Sequence, residues 1–410
     1  MQPTPRHTTC AIVGGGPAGM VLGLLLARAG VTVTVLEKHV DFLRDFRGDT
    51  VHPTTMRLLD ELGLWRRFAA LPFSEIHQAD LEFDGRTVTV IDFNRLRRQP
   101  HPFIAMVPQW DLLALLADAA AAEPTFTLLM ETEVTGVLTD GDRICGVRYQ
   151  TPSGGGELHA DLTVACDGRR STVRQAAGLR AREYPVNFDV WWFRLPRTGP
   201  SPPTLVPRLA PGKAALLIPR REYFQVAYLG PKGTDAALRR RGIEEFRRAV
   251  ADLIPAEVGD AAALTSMDDV KHLDVRVNRL RRWHRAGLLC IGDAAHAMSP
   301  VGGIGINLAV QDAVGAATVL AEPLRRGRVR GRHLAAVHRR RAAATALTQA
   351  VQRTMHRVLD RVLRGDPVNP PPWALRLVSA APWLTGIPAY VVGVGVRPER
   401  APAFARRAER

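Results

Sequence analysis

Gly14-x-Gly16-x-x-Gly19 is spaced to bring a backbone turn against a pyrophosphate, the glycines removing side chains that would block the approach. Pro17 and Ala18 lie inside that turn, and a phosphate there would meet the N-terminus of the helix that follows. Glu37 stands 23 residues after Gly14, where a carboxylate can accept hydrogen bonds from ribose hydroxyls, and Lys38 follows it. A second glycine-rich run comes late: Gly292-Asp293-Ala294-Ala295-His296, then Pro300-Val301-Gly302-Gly303-Ile304-Gly305-Ile306-Asn307. Two nucleotide-facing segments so far apart suit one long ligand that crosses the fold and ends in a reactive ring. A helix beginning near Gly305 would point unpaired N–H groups and a positive dipole end at such a ring. His296 reads as a structural residue of this segment rather than as a base.

Bringing these turns together requires alternating strands and helices. Residues 8–14 form the short apolar run of a buried parallel strand. The spacing then predicts a helix over 18–29 ended by Gly30, and a second strand over 31–36. Thr54 or Thr55 can cap a helix over 56–62, and Gln109 opens another that continues over 112–122. Strands near 126–130, 133–139 and 143–150 follow, with a turn at Asp140-Gly141-Asp142. A buried strand over 162–166 ends at Asp167-Gly168, and Ser171 is placed to cap the next helix.

The stretch 183–278 differs, with alternating strands, proline-rich links and a helix around 235–252. Residues 287–291 return to the buried-strand pattern and feed the late glycine run. A helix over 307–322 and a long amphipathic one over 333–364 complete the series. Leu347, Val351, Met355, Val358 and Val362 line the apolar face of the latter.

The fold class is therefore α/β: a Rossmann-like nucleotide-binding domain with a mostly parallel sheet, an inserted mixed or antiparallel sheet domain, and a helical C-terminal part. The expected divisions are 1–74, 107–182 and 279–332 for the nucleotide domain, 75–106 and 183–278 for the sheet domain, and 333–410 for the long helix and tail. On the strand over 188–195, Phe188, Val190, Trp192 and Arg194 face one way, with Asp189, Trp191 and Phe193 facing the other. Trp192, Arg194, Arg221 and Tyr223 are the candidate substrate contacts, suited to a planar molecule, neutral or anionic.

Composition limits the alternatives. Hydrophobic residues make up 46% and charged residues 23%, as in an ordinary globular protein. The start carries no signal segment, so a cytoplasmic setting is expected. Four scattered cysteines form no CxxC pair, and no metal site is expected. The net charge of +15 is concentrated late: residues 323–410 hold 18 Arg and 4 acidic residues (18 − 4 = +14). With 51 Arg against 4 Lys, and no aromatic-interleaved basic motif, a solvated basic face is expected rather than nucleic-acid or membrane contact.

Three ordered segments together resemble the signatures of FAD-dependent aromatic hydroxylases, the p-hydroxybenzoate-hydroxylase-like, single-component flavin monooxygenases. They are the first glycine turn, Asp167-Gly168-Arg169-Arg170-Ser171-Thr172-Val173-Arg174, and the late Gly-Asp run. The resemblance covers most of residues 8–325 and implies FAD, with NADPH or NADH as reductant and dioxygen as co-substrate. It implies that Arg47 and Gln109 contact the pyrophosphate side, that Asp167 lies close to FAD and the nicotinamide donor, and that Asp293 binds the ribityl hydroxyls. Pro300 would lie against the flavin ring, and the backbone from Gly302 to Asn307 would meet its pyrimidine edge. The implied reaction is hydroxylation of an aromatic or polyketide-like small molecule through a flavin C4a-hydroperoxide. No Tyr-Tyr-His proton chain can be assigned, so the catalytic residues stay unnamed. Alternatives at this level are a flavin-dependent dehydrogenase, reductase or halogenase, and a FAD-bound regulatory or nucleic-acid-binding protein.

Overall fold

Strand His7–Val13 is buried from Cys10 onward, as a strand covered on both faces must be. It pairs in parallel with Val33–Leu36 on one side and Gly154–Ala165 on the other. The computed structural model that shows this describes residues 6–43, 50–83, 86–197, 204–210, 212–220, 222–255, 258–366 and 380–408. Phe126–Leu129 extends the sheet past Val33–Leu36, and Leu288–Cys290 extends it past Gly154–Ala165. The strand over 162–166 is thus the end of a longer one. The hairpin Glu133–Asp140 and Arg143–Thr151 joins its first half antiparallel, turning at Gly141 with φ +55°. Helix Pro17–Arg28 buries residues 18–27 and stops before Gly30, whose φ of +77° suits glycine.

A second, seven-stranded sheet runs Lys271–Leu273, Phe188–Pro196, Tyr223–Pro231, Lys213–Pro219, Thr204–Ala210, Gln78–Phe83, Arg86–Asp92. Its faces alternate as the sequence pattern requires. Trp191, Phe193 and Leu195 pack on Phe246 and Val250, while Phe188, Val190 and Trp192 belong to clusters on the other side. The helix expected around 235–252 is two helices, Asp235–Arg241 and Ile243–Ala251. Gly242 separates them with φ +82°, a conformation that breaks an α-helix. A small sheet of Thr50–Val51, Ile104–Met106 and Ser74–Ile76 lies apart from both.

The long helix Gly331–Leu363 forms where expected but presents a different face. Leu347 and Val358 are about half exposed, whereas Arg341, Thr345, Thr348, Gln349, Gln352 and His356 are buried. Its buried polar positions meet carbonyls of Asn278, Ala297 and Ser299 and the Asp312 carboxylate, and so need donors, while Leu334 and Val337 join the hydrophobic core. Helix Gly386–Gly393 of the tail packs Ala389 and Val392 into a cluster with Ile76, Met106, Ile218 and Ile304. Among the described residues, no helix is long and apolar enough to cross a membrane.

Candidate active site

Parallel pairing puts four strand ends at one level: Val13 opposite Leu36 and Ala165, and Ala165 opposite Cys290. Each strand then leads directly into a segment the sequence singled out. The carboxyl edge of such a sheet is the usual ligand crevice of α/β folds. The turns touch one another. A methyl group on Gly14 would lie 2.6 Å from the Cys166 carbonyl oxygen, and one on Gly292 would lie 3.3 Å from Cβ of Ala18. The Gly15 N–H donates to Glu37 Oε2 at 2.7 Å, and the His39 N–H donates to Glu37 Oε1 at 3.2 Å. Glu37 therefore also fixes the glycine turn beside it. Lys38 is exposed beyond it, and Gln109 is half-buried at the first position of helix Gln109–Ala121.

The glycines separate into those the protein's own packing demands and those it does not. Gly19 is demanded, because a methyl there would lie 2.0 Å from the Gly14 carbonyl oxygen. Gly16 is not: its φ is −77° and nothing lies within 4 Å of where a Cβ would be. At Gly305 a methyl would touch only Met298 Cβ, at 3.8 Å. One bare glycine thus sits in each turn, with backbone uncovered. Helices Pro17–Arg28 and Ile304–Arg325 both begin without a capping side-chain bond and without an acidic residue in the first turn. Uncapped N–H groups and positive dipole ends fit a pyrophosphate at the first turn and an electron-accepting ring at the second. The residues present therefore fit FAD.

The late turn is held from behind. Gly302 and Gly303 have φ of +80° and +63°, and the Gly303 N–H donates to the Pro300 carbonyl at 2.9 Å. Left-handed Gly303 starts the helix at Ile304, earlier than the residue-307 start expected from sequence. The Gly303 carbonyl accepts from Thr50 Oγ1 at 2.8 Å and from His52 Nε2 at 3.0 Å. Burial pushes the His52 imidazole down to about 4, against its hydrogen bond to the Gly303 carbonyl. Thr54 and Thr55 do not cap their own helix, Pro53–Glu61, whose start at His52 has no side-chain cap. They donate instead to Asn307 Oδ1, at 2.6 and 3.0 Å. Ile306 and Asn307 are both buried. Gln352 Nε2 donates to the Ser299 and Val301 carbonyls, both at 2.9 Å, which brackets Pro300. Sequence reading missed His52, Gln349 and Gln352, since the apolar periodicity of the long helix pointed to the opposite face.

Four polar side chains of the signatures have distinct surroundings. Asp293 is about one-third exposed and pairs with Arg169 at 3.4 Å, and Arg169 also reaches the Asp274 carbonyl at 3.4 Å. Asp167 Oδ2 accepts from the Val173 N–H at 3.1 Å, while its Oδ1 is buried without a hydrogen-bond partner. Burial pushes its carboxyl up, against hydrogen bonds from Ser171 and Val173. Ser171 caps its helix as expected, accepting from the Arg174 N–H at 2.9 Å. His296 is buried, with Nε2 2.5 Å from Asp312 Oδ2, which agrees with a structural role.

On the sheet side, Trp192 packs against the cluster of Ile304 and Ile218 and against that of Val301 and Leu359, with its indole N–H buried and unpaired. Leu216 belongs to both groups as well. Arg194 is exposed, its guanidinium 4.9 Å above the Tyr223 ring, so these two meet each other rather than Trp192. Arg47 and Arg221 lie outside the described residues. Two clefts of about 510 and 600 Å³ lie elsewhere, and neither is lined by the glycine turns.

Comparison with known proteins agrees with this geometry. A family described as the FAD binding domain matches residues 7–351. A 6-methylpretetramide 4-monooxygenase from Streptomyces rimosus is 37% identical over 380 residues, covering 92% of this chain and 90% of that relative. A para-nitrophenol 4-monooxygenase from Pseudomonas sp. strain WBC-3 is 27% identical, covering 77% and 78%. The solved anhydrotetracycline hydroxylase from Streptomyces rimosus has a TM-score of 0.75 at 23% identity. It covers 97% of this chain and 77% of that one, a likeness of fold.

Proposed function

Since the chain belongs to the FAD binding domain family and is an FAD-dependent monooxygenase, we propose that it hydroxylates a fused-ring, polyketide-type phenol. The overall reaction would be substrate-H + NAD(P)H + H⁺ + O₂ → substrate-OH + NAD(P)⁺ + H₂O. The observation that carries this reading is the pair of bare glycines, Gly16 and Gly305, at two uncapped helix starts. The relative's name adds the substrate class. A cytoplasmic setting would give access to NAD(P)H.

In this reading each residue singled out has a role. Amides of the turn Gly14–Gly19 would take the pyrophosphate, with Pro17 and Ala18 shaping its floor. Glu37 would accept from ribose hydroxyls, with Lys38 and Gln109 near the same end, and the family resemblance gives Arg47 a pyrophosphate contact. Asp293, shared with Arg169, would accept from the ribityl chain, and Asp167 would lie along it. Pro300 and the backbone of Gly302, Gly303, Ile304, Gly305, Ile306 and Asn307 would meet the ring. Bound FAD supplies the hydride acceptor and the centre at which dioxygen is activated. The protein supplies N–H donors already oriented toward developing negative charge, where they act most strongly in a water-poor site. Trp192, Leu216, Val301 and Ile304 would form an apolar wall that keeps water from the reacting atoms. Arg194 and Tyr223 would sit at the mouth, and Arg221 is kept as a candidate substrate contact from the sequence. The two-sheet arrangement supports the division into cofactor and substrate domains set out from sequence.

The test is NAD(P)H oxidation by FAD-loaded protein across a panel of mono- and polycyclic phenols, with product analysed after reaction under labelled dioxygen. Label in the product and preference for fused rings are expected. Oxidation without label would favour a dehydrogenase or reductase.

A further inference from the structure

The family match ends at residue 351, yet the tail beyond it is bound into the cofactor region. Segment 397–407 bonds to four helices of the cofactor region. Arg28 of helix Pro17–Arg28 donates to the Ala405 carbonyl at 2.9 Å. Glu61 of helix Pro53–Glu61 accepts from the Ala401 N–H at 2.6 Å, and its own carbonyl accepts from the Arg407 N–H at 3.2 Å. Gln311 of helix Ile304–Arg325 accepts from the Glu399 N–H. From helix Gly331–Leu363, Arg340 grips both Glu399 carboxylate oxygens at 2.8 and 2.7 Å.

The neighbouring Arg341 makes the link that matters. It donates to the Arg397 carbonyl at 3.1 Å, lies 3.6 Å from Glu399 Oε1, and donates through Nε to Asp312 Oδ1 at 3.0 Å. The other oxygen of Asp312 accepts from the Gly292 N–H at 3.1 Å and faces His296. Asp312, Arg341, His296 and Glu399 are all buried. Arg397 holds a φ of +52°, which a non-glycine residue keeps only where its surroundings impose it. Removing one member of a buried ionic network leaves the others uncompensated, so such a network tends to be made or lost as a unit. Three links of it, tail to Arg341, Arg341 to Asp312 and Asp312 to Gly292, connect the tail to the turn that carries Asp293.

We propose that segment 397–401 is a strap that sets the Gly292–Asp293 turn through Glu399, Arg341 and Asp312, so that seating of the tail and binding of FAD are thermodynamically linked. These three are positioning residues, and the proposal rests on the flavin reading above. Linkage is reciprocal: the strap strengthens flavin binding, and flavin holds the strap down by the same factor.

Both directions can be measured on the full chain. Arg400, Arg406 and Arg407 are exposed tryptic sites in the tail, with Arg240 and Arg241 as exposed controls on the substrate side. FAD should slow cleavage in the tail and leave the control sites unchanged, a readout that needs no variant. Glu399→Gln should weaken FAD binding, followed by flavin fluorescence, by roughly tenfold. Wild-type protein that takes up no FAD would overturn the cofactor reading and the strap with it. Wild type that binds FAD while Glu399→Gln binds it equally, with the tail cut at one rate in both states, would overturn the strap alone.

Discussion

His52 shows how one side chain can couple the site to pH. It is fully buried against Gly303, and its imidazole titrates at about 4 in the folded protein against an ordinary value near 6.5. A depressed histidine favours the neutral form in the fold. Its contribution is therefore complete above about pH 6.5 and is lost as pH falls toward 4, because the unfolded chain takes up the proton first. The loss is on the order of 3 kcal/mol. Replacing His52 by Asn should flatten the fall in stability between those limits, read by urea unfolding across pH; an unchanged slope would show that His52 does not report there. Asp312 acts in the same direction at lower pH. Burial alone would raise its carboxyl, but His296 and Arg341 outweigh that and hold it below the usual range. Asp293 is a different case, about one-third exposed and sharing only Arg169. Asp293→Ala should fold with little loss of stability yet retain little FAD, measured as flavin absorbance per chain after gel filtration.

The long helix Gly331–Leu363 carries the lesson about what a sequence makes visible. Its length and limits follow from composition and periodicity, and so do the parallel strands, whose unbroken apolar runs have few other uses. Its orientation does not follow. An apolar stripe normally turns inward, but part of the surface covered here is a run of carbonyls and a carboxylate, which Gln349, Gln352 and Arg341 satisfy. That partner is distant in sequence, so nothing local records it. The same reason hid His52 and Thr50 behind Gly303, whereas Gly16 and Gly305 were legible from their spacing. Gln352→Leu should cost about 1–3 kcal/mol, because it leaves the Ser299 and Val301 carbonyls without their donor. Leu347→Gln, on the half-exposed side, should change stability by less than about 0.5 kcal/mol. Equilibrium unfolding of both variants checks the face directly, and the reverse ranking would mean the apolar stripe is the buried one.

Across the whole molecule, the basic tail does more than keep a surface solvated. Part of its positive charge is used in ion pairs, where buried Arg341 and exposed Arg340 meet Asp312 and Glu399 and close the end of the chain over the cofactor helices. The architecture places two glycine turns at one sheet edge, with Trp192 and Leu216 of the second sheet grouped with Val301 and Ile304 of the late turn. The central claim is that both turns hold one FAD, and its most direct measurement is FAD affinity of wild type, Gly16→Ala and Gly305→Ala alongside the unfolding temperature of each without FAD. Neither methyl group meets protein atoms closer than ordinary contact, so the three FAD-free proteins should unfold at nearly the same temperature. Wild type should bind one FAD per chain, and each variant should bind it much more weakly. A wild type that stays colourless when reconstituted, or variants that bind FAD as well as it does, would contradict the account.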